Sequence, residues 1–365
     1  MHTISIVIPT RDRPVLLQEA LESIAHQSLR PMEIIIVDDG SAQPVDAHAL
    51  ASRFGPALRV VRNISSQGLA FSRNRGVEEA QGDYVIHLDD DDLLDPDAIA
   101  TALAVLQRHP DLDLVFINAH GFGPHAGHFN QVQPKAIKRV ISLGSGRRSS
   151  PDLVHFGPDL IKALLHSVPI AFQRIMVPRL KWHSISAFRR RAYRIDSSIP
   201  DDNAAQRAIT GPLRDSEWSV YAAALCNSTA LIVRPLYLQR CAGQGYSSKP
   251  ENRALHMQQG LLIKQQLHRA ARRLPELRRW KSEIRDSLAS AQFNSAYHHF
   301  QSGTRNDSWN ELLKALLLKP SITYARLAIR MWLPRSWSVN APPQQLERSA
   351  GKCSAIDKRE PGRRP

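Results

Sequence analysis

Short apolar runs alternate with amphipathic segments along the first third of the chain. Buried strands are predicted by runs rich in Ile, Val and Leu at 4–9, 33–37, 58–62, 84–88 and 112–117. Helices are predicted where apolar residues recur with helical spacing, at 14–28, 45–54, 68–80 and 96–108. Strands that alternate with helices in this way indicate an α/β fold with a mostly parallel sheet flanked by helices.

Three of these predicted strands end in short polar segments that carry aspartate. They are Pro9-Thr10-Arg11-Asp12, Asp38-Asp39-Gly40-Ser41 and the four successive aspartates Asp89-Asp90-Asp91-Asp92. Ligands of open parallel sheets bind beyond the carboxyl ends of the strands. We therefore expect the three segments to meet at one rim of the sheet.

The four aspartates at 89–92 present an electrostatic problem that suggests a ligand. Like charges this close repel each other, and burying them without partners is costly. A divalent cation bound by oxygen ligands would remove the repulsion. Taken singly, each segment also has a structural explanation: 38–41 could form a strand-to-turn cap, and 89–92 could cap the helix that follows.

Charge is divided unevenly along the 365 residues, whose formal net charge is +14. Residues 1–233 contain 24 Lys+Arg and 25 Asp+Glu, whereas residues 234–365 contain 24 and 9, a net of +15. An anionic membrane surface, an acidic polymer or nucleic acid could bind the basic third, which could also be a solvated helical face. Because this third has no recognised nucleic-acid-binding motif, we expect no nucleic-acid partner.

Cellular location can be predicted from the N-terminus, the hydropathy and the cysteines. The first residues lack a basic leader followed by a long apolar core, and no run reaches the roughly 18 apolar residues of a membrane span. The three cysteines show no metal-ligand spacing, and their odd number and scarcity fit a reducing compartment. A cytoplasmic protein is expected, with peripheral contact at the inner face of the cell membrane as a further possibility.

Four segments together resemble the family 2 glycosyltransferases, which have the GT-A fold. The matching stretches are SIVIPTRDRP at 5–14, IIIVDDGS at 34–41, GLAFSRNRG at 68–76 and GDYVIHLDDDDLLDP at 82–96. The resemblance covers residues 3–118 closely and 119–245 loosely. It implies a Rossmann-like GT-A domain that binds a nucleotide-sugar donor, with a divalent metal ion at an Asp-x-Asp motif.

The resemblance also implies roles for individual residues. Asp91, the second acid of the Asp-x-Asp motif, would bind Mg²⁺ or Mn²⁺ with Asp89 beside it. Asp39 would accept a hydrogen bond from the donor base, and Arg73 would hold a carboxylate of the site or the diphosphate, unless it is only a surface ion pair. The residues assigned to donor binding are Pro9, Thr10, Arg11, Asp38, Asp39, Arg73, Asp89 and Asp90.

An inverting transfer needs a general base that deprotonates the acceptor hydroxyl. In the family this base is the Asp of a Glu-Asp pair that opens a helix, and the match is Asp215. The sequence departs from the pattern because Arg214 stands where Glu is usual, and Glu217 is a second candidate. Both acids could instead complement the dipole of the helix.

The resemblance predicts a metal-dependent inverting glycosyltransferase of the hexosyltransferase type. A UDP-sugar is the expected donor, and the expected acceptor is a hydroxyl of a glycan or lipid-linked molecule in cell-surface polysaccharide synthesis. The alternative is a catalytically inactive GT-A-like module that binds a glycan or a partner. The presence of Arg214 where Glu is usual motivates this alternative.

The domain boundaries follow from the pattern and the resemblance together. We predict a catalytic domain at 1–245, with a nucleotide-sugar-binding half at 1–118 and an acceptor half at 119–245. A basic α-helical extension is predicted at 246–340 and a disordered tail at 341–365, because the tail is rich in Pro, Lys and Arg.

Overall fold

The computed structural model describes residues 2–167, 172–193, 214–242 and 252–332. The chain divides into two compact units, Met1–Ala291 and Gln292–Pro365. The tail predicted at 341–365 lies outside the described residues.

The first four strands form a parallel block. In chain order β1 to β4 are Ile4–Thr10, Glu33–Asp38, Leu58–Arg62 and Tyr84–His87. β1 pairs in parallel with β2 on one side and with β4 on the other, and β3 pairs with β2. All residues of β1 are buried, as expected for an apolar run inside a parallel sheet. These four predicted strands are confirmed.

The four helices of this half follow the predicted pattern as well. In chain order α1 to α4 are Pro14–Ala25, Ala47–Phe54, Leu69–Glu79 and Ala98–Arg108. Proline at the first helical position of α1 has the backbone angle that a helix needs and lacks an N–H that would have no helical partner. The side chain of Asp46 caps α2 by accepting from the Ala49 N–H at 2.9 Å.

The second half of the unit adds six strands of mixed direction. In chain order β5 to β10 are Leu93–Leu94, Leu114–Phe122, Arg147–Ser150, Leu153–Phe156, Ile175–Pro178 and Thr229–Arg240. The sheet order is β3-β2-β1-β4-β9-β6-β10-β8-β7, with β5 against β10. β9 runs antiparallel between β4 and β6, and β10 is parallel to β6 but antiparallel to β5 and β8. The predicted α/β sheet is thus confirmed, with antiparallel strands added on one side.

Helices cover both faces of this sheet and enclose two apolar cores. The second half contributes α5 to α8, which are Ala126–Leu143, Leu160–Leu164, Arg179–Tyr193 and Arg214–Leu225. Alternate residues of β1 belong to different cores, Val7 to one and Ile6 and Ile8 to the other. This division follows from the two-residue period of a strand.

Helix α3 packs unusually close to β1. A Cβ atom at Gly76 would lie 2.2 Å from Val7 Cγ1, so a side chain at position 76 does not fit without movement of the helix. At the start of α3, Gly68 has φ +91°, a conformation that glycine adopts without strain. The two glycines fix where α3 begins and how near it lies to the sheet.

The first unit extends beyond the predicted catalytic boundary at 245. Helix α9, Asn252–Ala271, and the 3₁₀ helix Pro275–Trp280 contribute Leu267, Leu277 and Trp280 to the same core as Val7. The division between the units lies at Ala291, inside helix α10, Lys281–Gln301. The division into a catalytic domain and an extension at 245 remains a prediction.

The second unit is helical. It contains the end of α10 together with α11, Arg305–Leu318, and α12, Ile322–Trp332. The rings of Phe293 and Tyr324 stack at 4.6 Å, and the Ser308 hydroxyl donates to the Ala296 carbonyl at 2.7 Å. No helix in the described residues is long and apolar enough to cross a membrane.

Candidate active site

The carboxyl ends of β1, β2 and β4 meet at one rim of the sheet. Thr10 lies opposite Asp38, one step after Pro9, and the backbone N–H of Asp39 donates to the Thr10 carbonyl at 2.9 Å. The Thr10 hydroxyl donates to Asp90 Oδ2 at 2.7 Å. The acidic segments after β2 and β4 thus lie on either side of Thr10, as the topology predicts.

Asp38 is fully buried and closes the turn after β2. Its carboxylate accepts from the backbone N–H groups of Ser41 at 2.8 Å and Val45 at 3.2 Å, and from Arg62 Nη1 at 2.6 Å. Burial alone would raise the pKa of Asp38, but these donors outweigh it and hold the pKa below its usual value. Asp38 therefore acts as the turn cap that its sequence context allowed.

Asp39 organises the loop before α3. One carboxylate oxygen accepts from Asn63 Nδ2 at 2.7 Å and the Gln67 N–H at 2.8 Å. The other accepts from the Ser66 hydroxyl at 2.7 Å and the Gly68 N–H at 2.9 Å. Burial favours a raised pKa for Asp39, yet the four donors lower it. Both oxygens have two donors each, which is about the capacity of a carboxylate.

Three of the four aspartates after β4 form a cluster. One carboxylate oxygen from each of Asp89, Asp91 and Asp92 lies within 4.8 Å of the others. The structure thus brings together Asp89 and Asp91, which the sequence assigned to a metal ion, and adds Asp92, which it did not. The run of four acids gave no means of deciding which three share a face.

Asp90 turns away from this cluster towards β1. It is 5% exposed and accepts from Thr10 and, at 3.1 Å, from Arg13 Nη1. Burial raises the pKa of Asp90 to about 6, against the opposing effects of Thr10 and Arg13. Asp90 therefore fastens the acidic loop to β1.

Asp92 connects the acidic loop to β10. Its carboxylate accepts from the Tyr237 hydroxyl at 2.8 Å and from the Arg240 N–H at 2.7 Å. Burial, followed by the charges of Asp89 and Asp91, raises the pKa of Asp92 to about 8. A cation in the cluster would oppose this effect, because it favours the charged form.

Arg73 lies beside the cluster. It is 1% exposed, and its Nη2 pairs with Asp89 Oδ1 at 2.5 Å. The residue is carried on the buried side of α3, whose distance from the sheet is set by Gly76. Arg73 therefore holds a carboxylate of the site and is not a surface ion pair.

The arginine beside the acids on β1 is Arg13, which the sequence did not single out. Arg13 Nη1 lies 3.1 Å from both Asp90 Oδ1 and Asp91 Oδ2. Arg11, assigned to the donor pocket, is exposed and pairs with its neighbour Asp12 at 3.4 Å. The two arginines are separated by one residue, and sequence alone gave no reason to choose between them.

Two further arginines lie near the site: Arg240 is the last residue of β10, and Arg174 ends the 3₁₀ helix Phe172–Arg174. Arg240 donates to the Asp91 carbonyl at 2.8 Å, pairs with Glu19 and lies over the Phe122 ring. Buried Arg174 lies 5.6 Å from the centre of the Tyr237 ring, and burial lowers its pKa. Arg174 and Tyr237 were missed because no local motif marks them.

The two candidates for the general base are in α8. Asp215 lies in its first turn, and the side chain of Asp215 is outside the described part of the chain. Glu217 is 1% exposed and accepts from Arg189 Nε at 3.3 Å. Glu217 also borders a mainly apolar pocket of about 190 Å³, which Lys264 lines from α9. Burial lowers the pKa of Lys264 to about 8.

The chemistry of the cluster fits a divalent cation. Hard cations such as Mg²⁺ prefer carboxylate oxygens, and three are present within 4.8 Å of one another. Buried Arg73 and half-exposed Arg13 already compensate part of the negative charge. The remaining repulsion is seen in the raised pKa of Asp91, caused by burial and then by Asp89.

Residues 5–156 match the family model described as Glycosyl transferase family 2. This part of the chain is similar to the family 2 glycosyltransferases. The match covers the parallel block, the acidic rim and the strands up to β8, and so includes Asp38, Asp39, Arg73 and the acidic cluster.

Curated proteins align with the N-terminal part of the chain. An uncharacterized glycosyltransferase of Haemophilus influenzae is 33% identical over 113 residues, which are 31% of this chain and 37% of that protein. A PGL/p-HBAD biosynthesis glycosyltransferase of Mycobacterium bovis is 36% identical over 115 residues, which are 31% of this chain and 44% of that protein. The chain thus spans less than half the length of these relatives.

The fold of the chain is similar to that of TarS from S. aureus. The crystal structure of TarS residues 1–349 superposes with a TM-score of 0.53 and 18% identity, over 87% of this chain and 81% of that one. A longer TarS structure gives a TM-score of 0.54 and 17% identity, over 89% of this chain and 50% of that one. This likeness confirms the predicted GT-A fold.

Proposed function

We propose that this protein is a metal-dependent inverting glycosyltransferase that transfers a sugar from a UDP-sugar to a hydroxyl group. The acceptor would be a glycan or a lipid-linked molecule in cell-surface polysaccharide synthesis. The proposal is carried by the cluster of Asp89, Asp91 and Asp92, whose oxygens lie within 4.8 Å of one another at the carboxyl rim of the sheet. This rim is where open α/β sheets bind their ligands.

Asp89, Asp91 and Asp92 would hold Mg²⁺ or Mn²⁺. The bound cation would offset the negative charge that develops on the diphosphate leaving group. Arg73 keeps Asp89 in place, and Tyr237 does the same for Asp92 from β10. Such second contacts orient metal ligands, so we assign these two residues a positioning role.

The donor base would bind beside Asp39, Thr10 and the loop 63–68. Because both oxygens of Asp39 already have two donors, an N–H group of the base would have to replace one of them. The Gln67 and Gly68 N–H groups belong to the loop before α3 and are the candidates for exchange. Asp39 thus would exchange a loop contact for a base contact.

The assignment of the general base to Asp215 remains part of the proposal. Glu217 is buried, and its carboxylate already pairs with Arg189 Nε at 3.3 Å, which gives it a structural role. This argument favours Asp215 over Glu217. Asp215→Asn should abolish turnover while leaving binding of UDP unchanged, whereas Glu217→Gln should act mainly on stability.

The second unit would provide peripheral contact with an anionic membrane. Its helices expose apolar side chains beside basic ones, which is typical of surfaces that bind membrane interfaces. The exposed apolar residues are Leu313, Leu317, Ile322, Ile329 and Trp332. We expect the protein to sediment with anionic vesicles but not with neutral ones. The double variant that carries Ile329→Ser and Trp332→Ser should lose this binding. Equal binding to both kinds of vesicle would contradict the proposal.

Calorimetry with UDP tests the enzymatic proposal directly. UDP should bind in the presence of Mn²⁺, and binding should be lost without the metal or in Asp91→Asn. Asp97→Asn is the matched control, because Asp97 is an exposed acid that pairs with Arg234. GDP binding in place of UDP would change the donor assignment. If no nucleotide binds under any metal condition, the alternative of an inactive glycan- or partner-binding module is favoured.

A further inference from the structure

Arg13 occupies a position that the proposed metal chemistry does not explain. It is half exposed, with 49% of its side chain accessible, yet one of its nitrogens contacts two aspartates of the acidic loop. Asp90 Oδ1 and Asp91 Oδ2 each lie 3.1 Å from Arg13 Nη1. One of these two acids is the predicted metal ligand Asp91, and the other is the residue that fastens the loop to β1.

The backbone at Arg13 is fixed while its side chain is not enclosed. Arg13 precedes the first residue of α1, and Pro14 restricts the conformation there. The preceding residue, Asp12, accepts from the Ala42 N–H at 2.7 Å and its own N–H donates to the Ser41 hydroxyl at 3.0 Å. The loop is therefore tied to the turn after β2. The guanidinium can leave the acids without disturbing this backbone.

The two acids that Arg13 contacts differ in how strongly they are held. Asp90 also accepts from Thr10 and is 5% exposed, so it keeps a partner if Arg13 moves. Asp91 is more open, with 35% of its side chain accessible. A cation that binds Asp91 Oδ2 would compete with the Arg13 guanidinium for the same oxygen.

We infer that Arg13 is an internal counter-ion which competes with the divalent cation for Asp91 and then turns to the diphosphate of the donor. The inference rests on the proposed function. Without a divalent cation, Arg13 neutralises Asp91. When the cation takes Asp91 Oδ2, the guanidinium is displaced, and its planar set of donors suits phosphate oxygens. Arg13 would thus weaken binding of the cation and strengthen binding of the donor diphosphate.

Binding of Mn²⁺ without nucleotide tests the first step. Arg13→Gln should bind Mn²⁺ more tightly than the wild type, by roughly five- to tenfold, because a competing positive charge is removed from Asp91. Arg11→Gln is the matched control: it removes the same charge two residues away, from a side chain that pairs with Asp12. Free Mn²⁺ would be measured by electron paramagnetic resonance, and circular dichroism would verify that each variant is folded.

Binding of UDP at saturating Mn²⁺ tests the second step. Arg13→Gln should bind UDP about tenfold more weakly, since a charge-assisted contact to phosphate is lost. Arg13→Lys should retain the charge and lose only part of the affinity. A purely structural role would not tighten metal binding and weaken nucleotide binding in one variant.

The outcomes separate this inference from the proposed function. If Arg13→Gln binds Mn²⁺ no better than the wild type, or if Arg11→Gln gives the same gain, competition at Asp91 is disproved while the enzymatic proposal stands. If neither the wild type nor Arg13→Gln binds Mn²⁺, the metal-dependent function fails and the inference fails with it. Mn²⁺ binding by Arg13→Gln but not by the wild type would support competition strongly.

Discussion

The acidic segments after β2 and β4 have similar sequences but opposite electrostatics. Asp38 and Asp39 are buried, and hydrogen-bond donors hold the pKa of each below its usual value. Asp90 and Asp92 are buried to a similar degree, yet their pKa values are raised to about 6 and about 8. Burial acts in the same direction at both segments, so the difference comes from the donors at Asp38 and Asp39 and from the neighbouring negative charges at Asp90 and Asp92.

The comparison distinguishes a structural acid from one that is prepared for a ligand. Around Asp38 and Asp39, backbone N–H groups and side chains satisfy the carboxylates, and the charge is used in folding. Around Asp91 and Asp92, the like charges remain close together, and a cation bound there would offset their repulsion. The sequence resemblance alone does not separate the two environments.

The largest effect is expected for Asp91→Asn. Turnover of the proposed reaction should fall about a thousandfold or more, because a ligand of the catalytic cation is lost. The melting temperature should stay the same or rise, since one of several repelling charges is removed. Activity assays and thermal unfolding of Asp91→Asn and Asp97→Asn would measure both effects. Near-normal turnover in Asp91→Asn would contradict the proposed role of the 89–92 segment as a ligand site.

Asp38→Asn should lower the stability of the fold and leave Mn²⁺ binding nearly unchanged. The asparagine amide group would face N–H donors from Ser41 and Val45 and the charge of Arg62, so the variant should lose about 2–3 kcal/mol of unfolding free energy. Mn²⁺ affinity should change little in the fraction that folds. Urea unfolding measures the stability, and a loss below about 0.5 kcal/mol would contradict the structural role.

Stability should depend on pH in opposite ways at the two segments. Asp90 and Asp92 have folded pKa values of about 6 and about 8, above the usual unfolded value of about 4, so the folded protein binds protons more tightly. Their effect is that stability falls as pH rises from about 4 through about 8. The lowered pKa values of Asp38 and Asp39 add stability that is present above about 4 and lost below it.

Urea unfolding at several pH values isolates this contribution. Between pH 5 and 8 the wild type should lose stability relative to Asp92→Asn, whose side chain does not titrate. Added Mg²⁺ should restore stability most at the higher pH, where the carboxylates are ionised. Parallel pH profiles for the two proteins would mean that Asp92 is not protonated in the folded state.

The parallel block was predictable because its signals are local. Apolar runs, the helical spacing between them and Pro14 determine β1 to β4 and the helices that join them. The convergence of Asp38 and Asp90 on Thr10 follows from topology alone. What could not be predicted locally is the antiparallel insertion of β9, because the pairing of a short strand depends on chain that is distant in sequence.

The parts of the site that sequence missed depend on side-chain direction and long-range contact. Asp92 was not assigned because a run of acids does not show which side chains share a face. Arg11 was assigned and Arg13 was not, because the two residues have the same chemistry and lie only two positions apart. Tyr237 reaches Asp92 across 145 positions, and no motif connects them.

The packing of Gly76 against the core determines where Arg73 lies relative to the acidic cluster. A methyl group there would overlap Val7 on β1, and relieving this overlap would lift α3 from the sheet. Arg73 lies one turn earlier on the same helix and would be carried away from Asp89. A substitution that touches no ligand would therefore leave an acid of the cluster without its counter-charge. A substitution at Gly76 can thus disturb the acidic cluster through a steric clash alone, although glycine has no functional group.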